Sequence, residues 1–220
     1  MQTPDLQTAL DRGRFLFIQQ KRELAEIIID WETKNRYAVL DEEKRTLGML
    51  AEKGSGLMAF LKRALLRSHR SMEVELVDLE GQRLLLLNRP FFFFFSTLTV
   101  LGGDGAVLGE VRRRFGILYR KYDLVDRSGR VFARISSPLW RLWTFPVRGE
   151  DSPGEAVISK KWGGLLQEVF TDSDLFGVDY GQTGSWSAVR RRIIFAAAIS
   201  IDFDFFENNQ GSGGVADAFT

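Results

Sequence analysis

Short apolar segments alternate with polar turns along the chain, at a spacing that predicts successive β-hairpins. Gly81, Gly105 and Gly129 recur every 24 residues, each in a polar turn between two apolar runs. A glycine there supplies the positive φ that tight hairpins require. Related turns are predicted at Lys44, where lysine replaces glycine, and at Gly154. Five hairpins in succession predict an all-β meander that closes or nearly closes, because open sheet edges invite aggregation.

Two segments depart from this pattern. Residues 57–70 place apolar side chains at helical spacing with basic residues opposite, which predicts a short amphipathic helix or an irregular connection. Residues 185–201 are rich in Ala and Ile, and Ser185 or Ser187 is placed to cap a helix. From 193 to 201 this helix is apolar all round, which predicts that it is buried. One helix inside a β-barrel is the simplest architecture that uses every element.

No stretch rich in Pro or Gly divides the chain, so we expect a single domain over residues 15–207. Residues 1–14 are expected to be a flexible N-terminus, and the Gly-containing residues 208–220 a disordered tail. No signal peptide is recognised, and the uncharged stretches 90–103 and 193–201 are shorter than the roughly 20 apolar residues of a spanning helix. These features predict a cytoplasmic protein and leave peripheral association with the inner face of a membrane open.

Composition excludes several classes of chemistry. The 30 Lys+Arg and 29 Asp+Glu give a net charge of +1, which argues against nucleic-acid binding. No cysteine and a single histidine exclude thiol nucleophiles, disulfides, S-acylation and two-histidine metal sites. No nucleophile elbow or phosphate-binding loop motif occurs, so we expect neither an enzyme nor a required cofactor.

Five consecutive phenylalanines, residues 91–95, are the main compositional oddity. In a strand, Phe92 and Phe94 would face the core while Phe91, Phe93 and Phe95 would face outward. The outward three would form an apolar patch fit for a membrane or a partner protein. The alternative is that another segment, for example 57–66, covers them.

Basic clusters could meet anionic lipid headgroups. On a strand only alternate residues of the run 112–114 can act together, and solvated surface charge is the plainer interpretation of any one cluster. The candidates for anionic lipid contact are Lys62, Arg63, Arg67, Arg70, Arg112 and Arg114.

Residues 172–183 begin like a calcium-binding loop, with oxygen ligands at the first and third positions and glycine at the sixth. Phe176 lacks a side-chain oxygen at the fifth position, and Thr183 stands where a bidentate carboxylate is needed. An Asp-rich turn before a strand is therefore favoured over a weak Ca²⁺ site. The candidate calcium residues are Asp172, Asp174, Phe176, Val178, Asp179 and Thr183.

Residues 158–178, ISKKWGGLLQEVFTDSDLFGV, closely resemble the signature region of the phospholipid scramblase family. Further matches occur in the family's order at 31–37, 88–90 and 201–207, so the resemblance covers about residues 15–207. It implies a Tubby-like fold, a closed twelve-stranded β-barrel around one buried C-terminal hydrophobic helix. It also implies calcium-dependent, ATP-independent movement of phospholipids between leaflets, and related tubby-like domains bind phosphoinositides.

Two departures from the family are informative. Its palmitoylated cysteine-rich stretch corresponds to the phenylalanines 91–95, which we hypothesise replace the acyl anchor. The closing Asp of its calcium loop corresponds to Thr183. We therefore expect a protein that contacts lipid at a membrane surface, through Phe91, Phe93 and Phe95. The alternative is a soluble adaptor that binds a protein partner and transports nothing.

Overall fold

The computed structural model describes residues 5–20, 36–52, 71–141, 143–160, 175–182 and 184–205. Within them lie two helices and twelve strands. In chain order these are α1 (Leu6–Arg12), β1 (Phe15–Gln20), β2 (Arg36–Leu40), β3 (Thr46–Glu52), β4 (Met72–Asp78), β5 (Arg83–Arg89), β6 (Thr97–Gly102), β7 (Val107–Arg114), β8 (Tyr119–Asp126), β9 (Val131–Pro138), β10 (Thr144–Gly149), β11 (Glu155–Ser159), β12 (Leu175–Asp179) and α2 (Ala188–Phe205).

The strands form one closed antiparallel barrel in which each strand pairs with its neighbours in sequence. The closing pair is β1 with β12, in the register Leu16 opposite Val178. The predicted mainly β fold is confirmed.

In such a meander, successive connections alternate between the two ends of the barrel. We call the end with the β4–β5, β6–β7 and β8–β9 connections the turn end, and the end with the β5–β6, β7–β8 and β9–β10 connections the loop end.

The predicted hairpin turns lie at the turn end. Gly81, Gly105 and Gly129 adopt φ values of 85°, 84° and 84°, and Lys44 adopts φ 65° in the equivalent place. The hairpin between β10 and β11 closes through a hydrogen bond from the Gly149 amide to the Gly154 carbonyl, at 2.9 Å. The 24-residue spacing of the three glycines in the sequence therefore corresponds to the same turn geometry in three hairpins.

Helix α2 fills the barrel. The side chains of residues 193–198 have no solvent exposure, which confirms the predicted core position. Ser187 caps the helix: its Oγ accepts from the Arg190 amide at 3.4 Å. The helix continues to Phe205, beyond the predicted end at residue 201. Neither helix of the described residues combines the length and apolar character needed to cross a membrane.

The first residues differ from expectation. Residues 1–14 were expected to be flexible, but Leu6–Arg12 form helix α1. Leu6 and Leu10 are buried because α1 packs on the start of α2, where Arg191 donates from Nε to the Leu10 carbonyl at 2.8 Å. The apolar spacing Leu6, Ala9, Leu10 is the helical signal that the sequence did contain.

Candidate functional site

The phenylalanine run is a loop and not a strand, which corrects the prediction. Strand β5 ends at Arg89 and β6 begins at Thr97, because Pro90 lacks the amide hydrogen needed to continue the ladder. Outside a strand the alternation rule does not apply. Phe92 is buried as predicted, but Phe94, which was assigned to the core, is 83% exposed.

Phe91, Phe93 and Phe95 are 41%, 77% and 50% exposed, in agreement with their predicted outward orientation. Phe91 packs edge-on against Phe93, with ring centroids 5.0 Å apart. Phe92 turns inward, and the guanidinium carbon of Arg89 lies 5.3 Å from the centroid of the Phe92 ring. One buried ring therefore anchors a loop whose other four rings face solvent. Residues 57–66, the alternative cover, lie outside the described residues.

The neighbouring connections at the loop end add further apolar side chains. Phe95 meets Phe115 of the β7–β8 loop with ring centroids 6.3 Å apart. Tyr119 meets Trp140 of the β9–β10 loop at 6.0 Å. We call the whole set the aromatic rim. Its members are Phe91, Phe93, Phe94, Phe95, Phe115, Ile117, Leu118, Tyr119, Leu139 and Trp140.

The aromatic rim holds ten of the fourteen exposed large apolar side chains in the described part of the chain. The other four, Leu79, Val107, Val157 and Val189, are scattered. Exposed apolar residues concentrated at one end of a molecule mark an interaction surface. Sequence reasoning found only the β5–β6 part of this surface. The missed signal was apolar character in the short connections 115–118 and 139–140, where hairpin loops are usually polar.

Basic side chains flank the aromatic rim on the outer wall. Arg112 and Arg114 both point outward, as the strand alternation predicted. Each lies beside a carboxylate: Arg112 Nε is 2.7 Å from Glu110, and Arg114 Nε is 3.4 Å from Asp123. The other candidates for anionic lipid contact, Lys62, Arg63, Arg67 and Arg70, lie outside the described residues.

A buried polar cluster lies inside the barrel at the loop end. Arg89 donates from Nη1 to Asp204 Oδ1 at 2.8 Å, and the Tyr122 hydroxyl donates to Asp204 Oδ2 at 2.8 Å. Arg113 reaches the same carboxylate at 3.8 Å. Burial raises the pKa of Tyr122 well above its usual value, and the charge of Asp204 raises it further. The cluster thus fixes the end of α2 to β5 and β8 through a neutral tyrosine and an ion pair.

Arg120 lies on the same inward face of β8 as Tyr122. Its guanidinium is 5.7 Å from the centroid of the buried Phe145 ring. Burial lowers the pKa of Arg120, and the positive charge of Arg113 lowers it further. Sequence reasoning missed Arg113 and Arg120 as inward-facing groups, because arginine on a strand is usually solvated.

The calcium candidates are only partly described. Phe176 and Val178 lie on β12 with buried side chains. Asp179 Oδ1 accepts from the Gly181 amide at 2.8 Å and lies 3.5 Å from Arg14 Nε. Asp172, Asp174 and Thr183 lie outside the described residues. Among the residues that are described, no group of three or more His, Asp or Glu could hold a metal ion.

The fold and surface together define a class of protein: a closed antiparallel barrel filled by its C-terminal helix, with apolar side chains concentrated at one end. Sequence comparison then identifies the family. The profile of the Scramblase family matches residues 1–208, and the chain belongs to that family.

Individual relatives are distant. The chain is 25% identical to a phospholipid scramblase family protein of Schizosaccharomyces pombe over 89% of its own length and 60% of the relative. It is 23% identical to altered inheritance rate of mitochondria protein 25 of Saccharomyces cerevisiae, over 90% of this chain and 72% of that one. It is 26% identical to phospholipid scramblase 2 of Bos taurus, over 89% of this chain and 69% of that one. The chain thus spans less than two thirds of the first relative. No solved structure matches.

Proposed function

We propose that this protein docks on a phospholipid bilayer through the aromatic rim and takes part there in ATP-independent movement of phospholipids between leaflets. The observation that carries the proposal is the concentration of exposed apolar side chains at the loop end. Transfer of a Phe or Leu side chain from water to an apolar phase is favourable by about 1.5–3 kcal/mol. Membership of the Scramblase family supports phospholipid as the binding partner.

Anionic lipid is the preferred surface in this proposal. Arg112, Arg114 and Lys121 lie on the outer wall next to the rim, where basic groups meet lipid phosphates when an apolar edge inserts. Glu110 and Asp123 offset part of that charge. We therefore expect apolar insertion to supply most of the affinity, with a modest dependence on salt.

Vesicle flotation tests the docking. Phe93→Ser/Phe94→Ser/Ile117→Ser removes three highly exposed rim side chains, so the fold should survive. Because each side chain contributes at least about tenfold in affinity, the triple variant should no longer float with anionic vesicles. The matched control is Leu79→Ser/Val107→Ser, which removes exposed apolar side chains at the turn end and should float like wild type. Equal flotation of all three proteins would contradict docking through the rim.

Calcium and lipid movement are further arms of the same experiment. Docking through the rim needs no metal, so we expect equal flotation with calcium and with a chelator. Transport is measured with a lipid that carries a fluorescent headgroup, as the rate at which an impermeant reductant removes its fluorescence. Wild type should accelerate this loss and the triple rim variant should not. Flotation that required calcium would instead support a site at Asp172, Asp174 and Thr183.

A further inference from the structure

An open cleft lies at the turn end of the barrel, opposite the aromatic rim. It has a volume of about 690 Å³ and lies between α1, the β4–β5 turn, the β6–β7 turn and the N-terminal part of α2. Ligand sites in proteins commonly have volumes of about 300–1,000 Å³. Docking through the rim makes no use of this cleft, which we call the turn-end cleft.

Three side chains around the turn-end cleft have hydrogen-bonding groups that are not used within the described part of the chain. Gln7 of α1 and Gln82 of the β4–β5 turn are exposed, and their carboxamides bond no described residue. Asp104 of the β6–β7 turn is also exposed; its Oδ1 accepts from the Ala106 amide at 3.0 Å. Asp104 forms no ion pair with a described residue, so its charge is available to a ligand.

The two arginines that line the cleft are, in contrast, already held by acids. Arg83 donates from Nη1 to Glu75 at 3.1 Å and from Nη2 to the Gly103 carbonyl at 3.2 Å. Arg192 donates from Nε and Nη2 to the two oxygens of Asp11, at 2.9 and 3.0 Å. An anionic ligand would have to compete with these carboxylates. The charge that remains to attract a ligand is therefore the negative charge of Asp104.

The lining specifies the kind of ligand. A carboxamide carries a donor and an acceptor side by side, as a peptide unit does, so Gln7 and Gln82 suit the main chain of a peptide. Asp104 suits a Lys or Arg side chain. Leu84 and Leu108 add an apolar patch for a neighbouring side chain. The residues that line the cleft include no aromatic ring, the flat apolar face against which a sugar would pack.

We propose that the turn-end cleft binds an extended basic segment of a partner protein. A Lys or Arg side chain of the segment pairs with Asp104, and its main chain bonds Gln7 and Gln82. The proposal does not rest on docking of the rim, because the two surfaces lie at opposite ends of the barrel. Both can be occupied together, so a protein docked on a bilayer would hold its partner on the side away from the lipid.

The first test exposes the labelled protein to an array of synthetic, end-capped hexapeptides in which every position is varied. Wild type should select peptides with Lys or Arg next to an apolar residue. Selection of acidic peptides, or no selection, would overturn the proposal.

Calorimetry with the hexapeptide that binds best then tests the residues. Asp104→Asn keeps the acceptor for the Ala106 amide but removes the charge, and should weaken binding about fivefold. Gln7→Ala/Gln82→Ala should weaken it about tenfold, because two sets of hydrogen bonds are lost. These side chains are exposed, so both variants should melt like wild type. Unchanged affinity in both would place the peptide elsewhere and overturn the site.

Two control variants separate the cleft from other surfaces. Glu80→Gln removes the same charge at the equivalent position of the β4–β5 turn, one residue before Gly81 as Asp104 is before Gly105. Glu80 does not line the cleft, so this variant should bind the peptide like wild type. A loss equal to that of Asp104→Asn would show general attraction to acidic turns and contradict a defined site. The triple rim variant should also bind the peptide like wild type, whether or not the rim docks on lipid, and loss of binding would assign the peptide to the rim.

Discussion

At the scale of single residues, backbone strain is concentrated at Lys44. Its φ of 65° is the left-handed conformation that the equivalent Gly81, Gly105 and Gly129 adopt without a Cβ. For a residue with a Cβ this conformation costs about 1–2 kcal/mol. Lysine has less conformational entropy than glycine in the unfolded chain, which offsets part of that cost. Lys44→Gly should therefore raise the free energy of unfolding by about 0.5–1 kcal/mol, measured by urea denaturation.

The reverse change is the matched control. Gly129→Lys places a side chain at φ 84° in the corresponding turn, where nothing lies within 4 Å of the added Cβ. It should destabilise the protein through backbone strain alone, by about 1 kcal/mol. If Lys44→Gly were neutral or destabilising while Gly129→Lys was harmless, the strain argument would be wrong.

Residues differ in how well their roles could be predicted from sequence. The glycine turns were predictable because positive φ is a local property and four residues set it. The orientation of Phe94 was not predictable from sequence, because it depends on where Pro90 ends the strand. The inward orientation of Arg113 and Arg120 was not predictable either, because it is set by strand register, and the acid that Arg113 approaches, Asp204, lies 91 residues away in the sequence.

At the scale of secondary structure elements, α2 fits the barrel because small residues occur on both surfaces: alanines on the helix, and a glycine on the wall opposite Ile193. Residues 196–198 are alanines with no exposure. A Cβ at Gly109 of β7 would lie 2.6 Å from Ile193 Cδ1 and 2.2 Å from the Val125 carbonyl. The apolar character of 193–201 predicted burial, but the matching glycine could only be recognised once the fold was known.

The C-terminal end of α2 is fixed by charge. Asp204 lies near the negative end of the helix dipole, an unfavourable place that Arg89 and Tyr122 offset. Arg89→Met should lower the free energy of unfolding by about 3–5 kcal/mol, because it leaves a buried carboxylate without its ion pair. Arg89→Met/Asp204→Leu should cost clearly less than the sum of the two single changes.

Chemical denaturation of the four proteins in this cycle measures the coupling between the two sites. Val189→Ala, on the exposed part of α2, gives the baseline for a mild change in the same helix. Additive losses in the double variant would show that Arg89 and Asp204 do not stabilise the fold as a pair.

At the scale of the whole molecule, the barrel has two chemically different ends. Tight polar turns and α1 occupy the turn end, and the aromatic rim occupies the loop end. This polarity follows from the meander, which places alternate connections together. The hairpin count was readable from sequence, whereas the gathering of three distant loops into one surface requires the closed barrel. The rim was for that reason predicted only in its most conspicuous part, the phenylalanines 91–95.

The polarity predicts how the molecule orients on a bilayer. The chain has no cysteine, so a single introduced thiol reports one position. An environment-sensitive dye at Ile117→Cys, at the loop end, should enter the bilayer and be quenched by lipids brominated in the acyl chains. The same dye at Arg127→Cys, at the turn end of β8, should stay in water, since an eight-residue strand separates the two positions by about 25 Å. Rim insertion reaches only about 5–10 Å below the headgroups, so the dye at position 117 should be quenched and the dye at position 127 should not. Similar quenching at both positions would mean that the barrel lies on its side and that its wall, rather than its loop end, contacts the lipid.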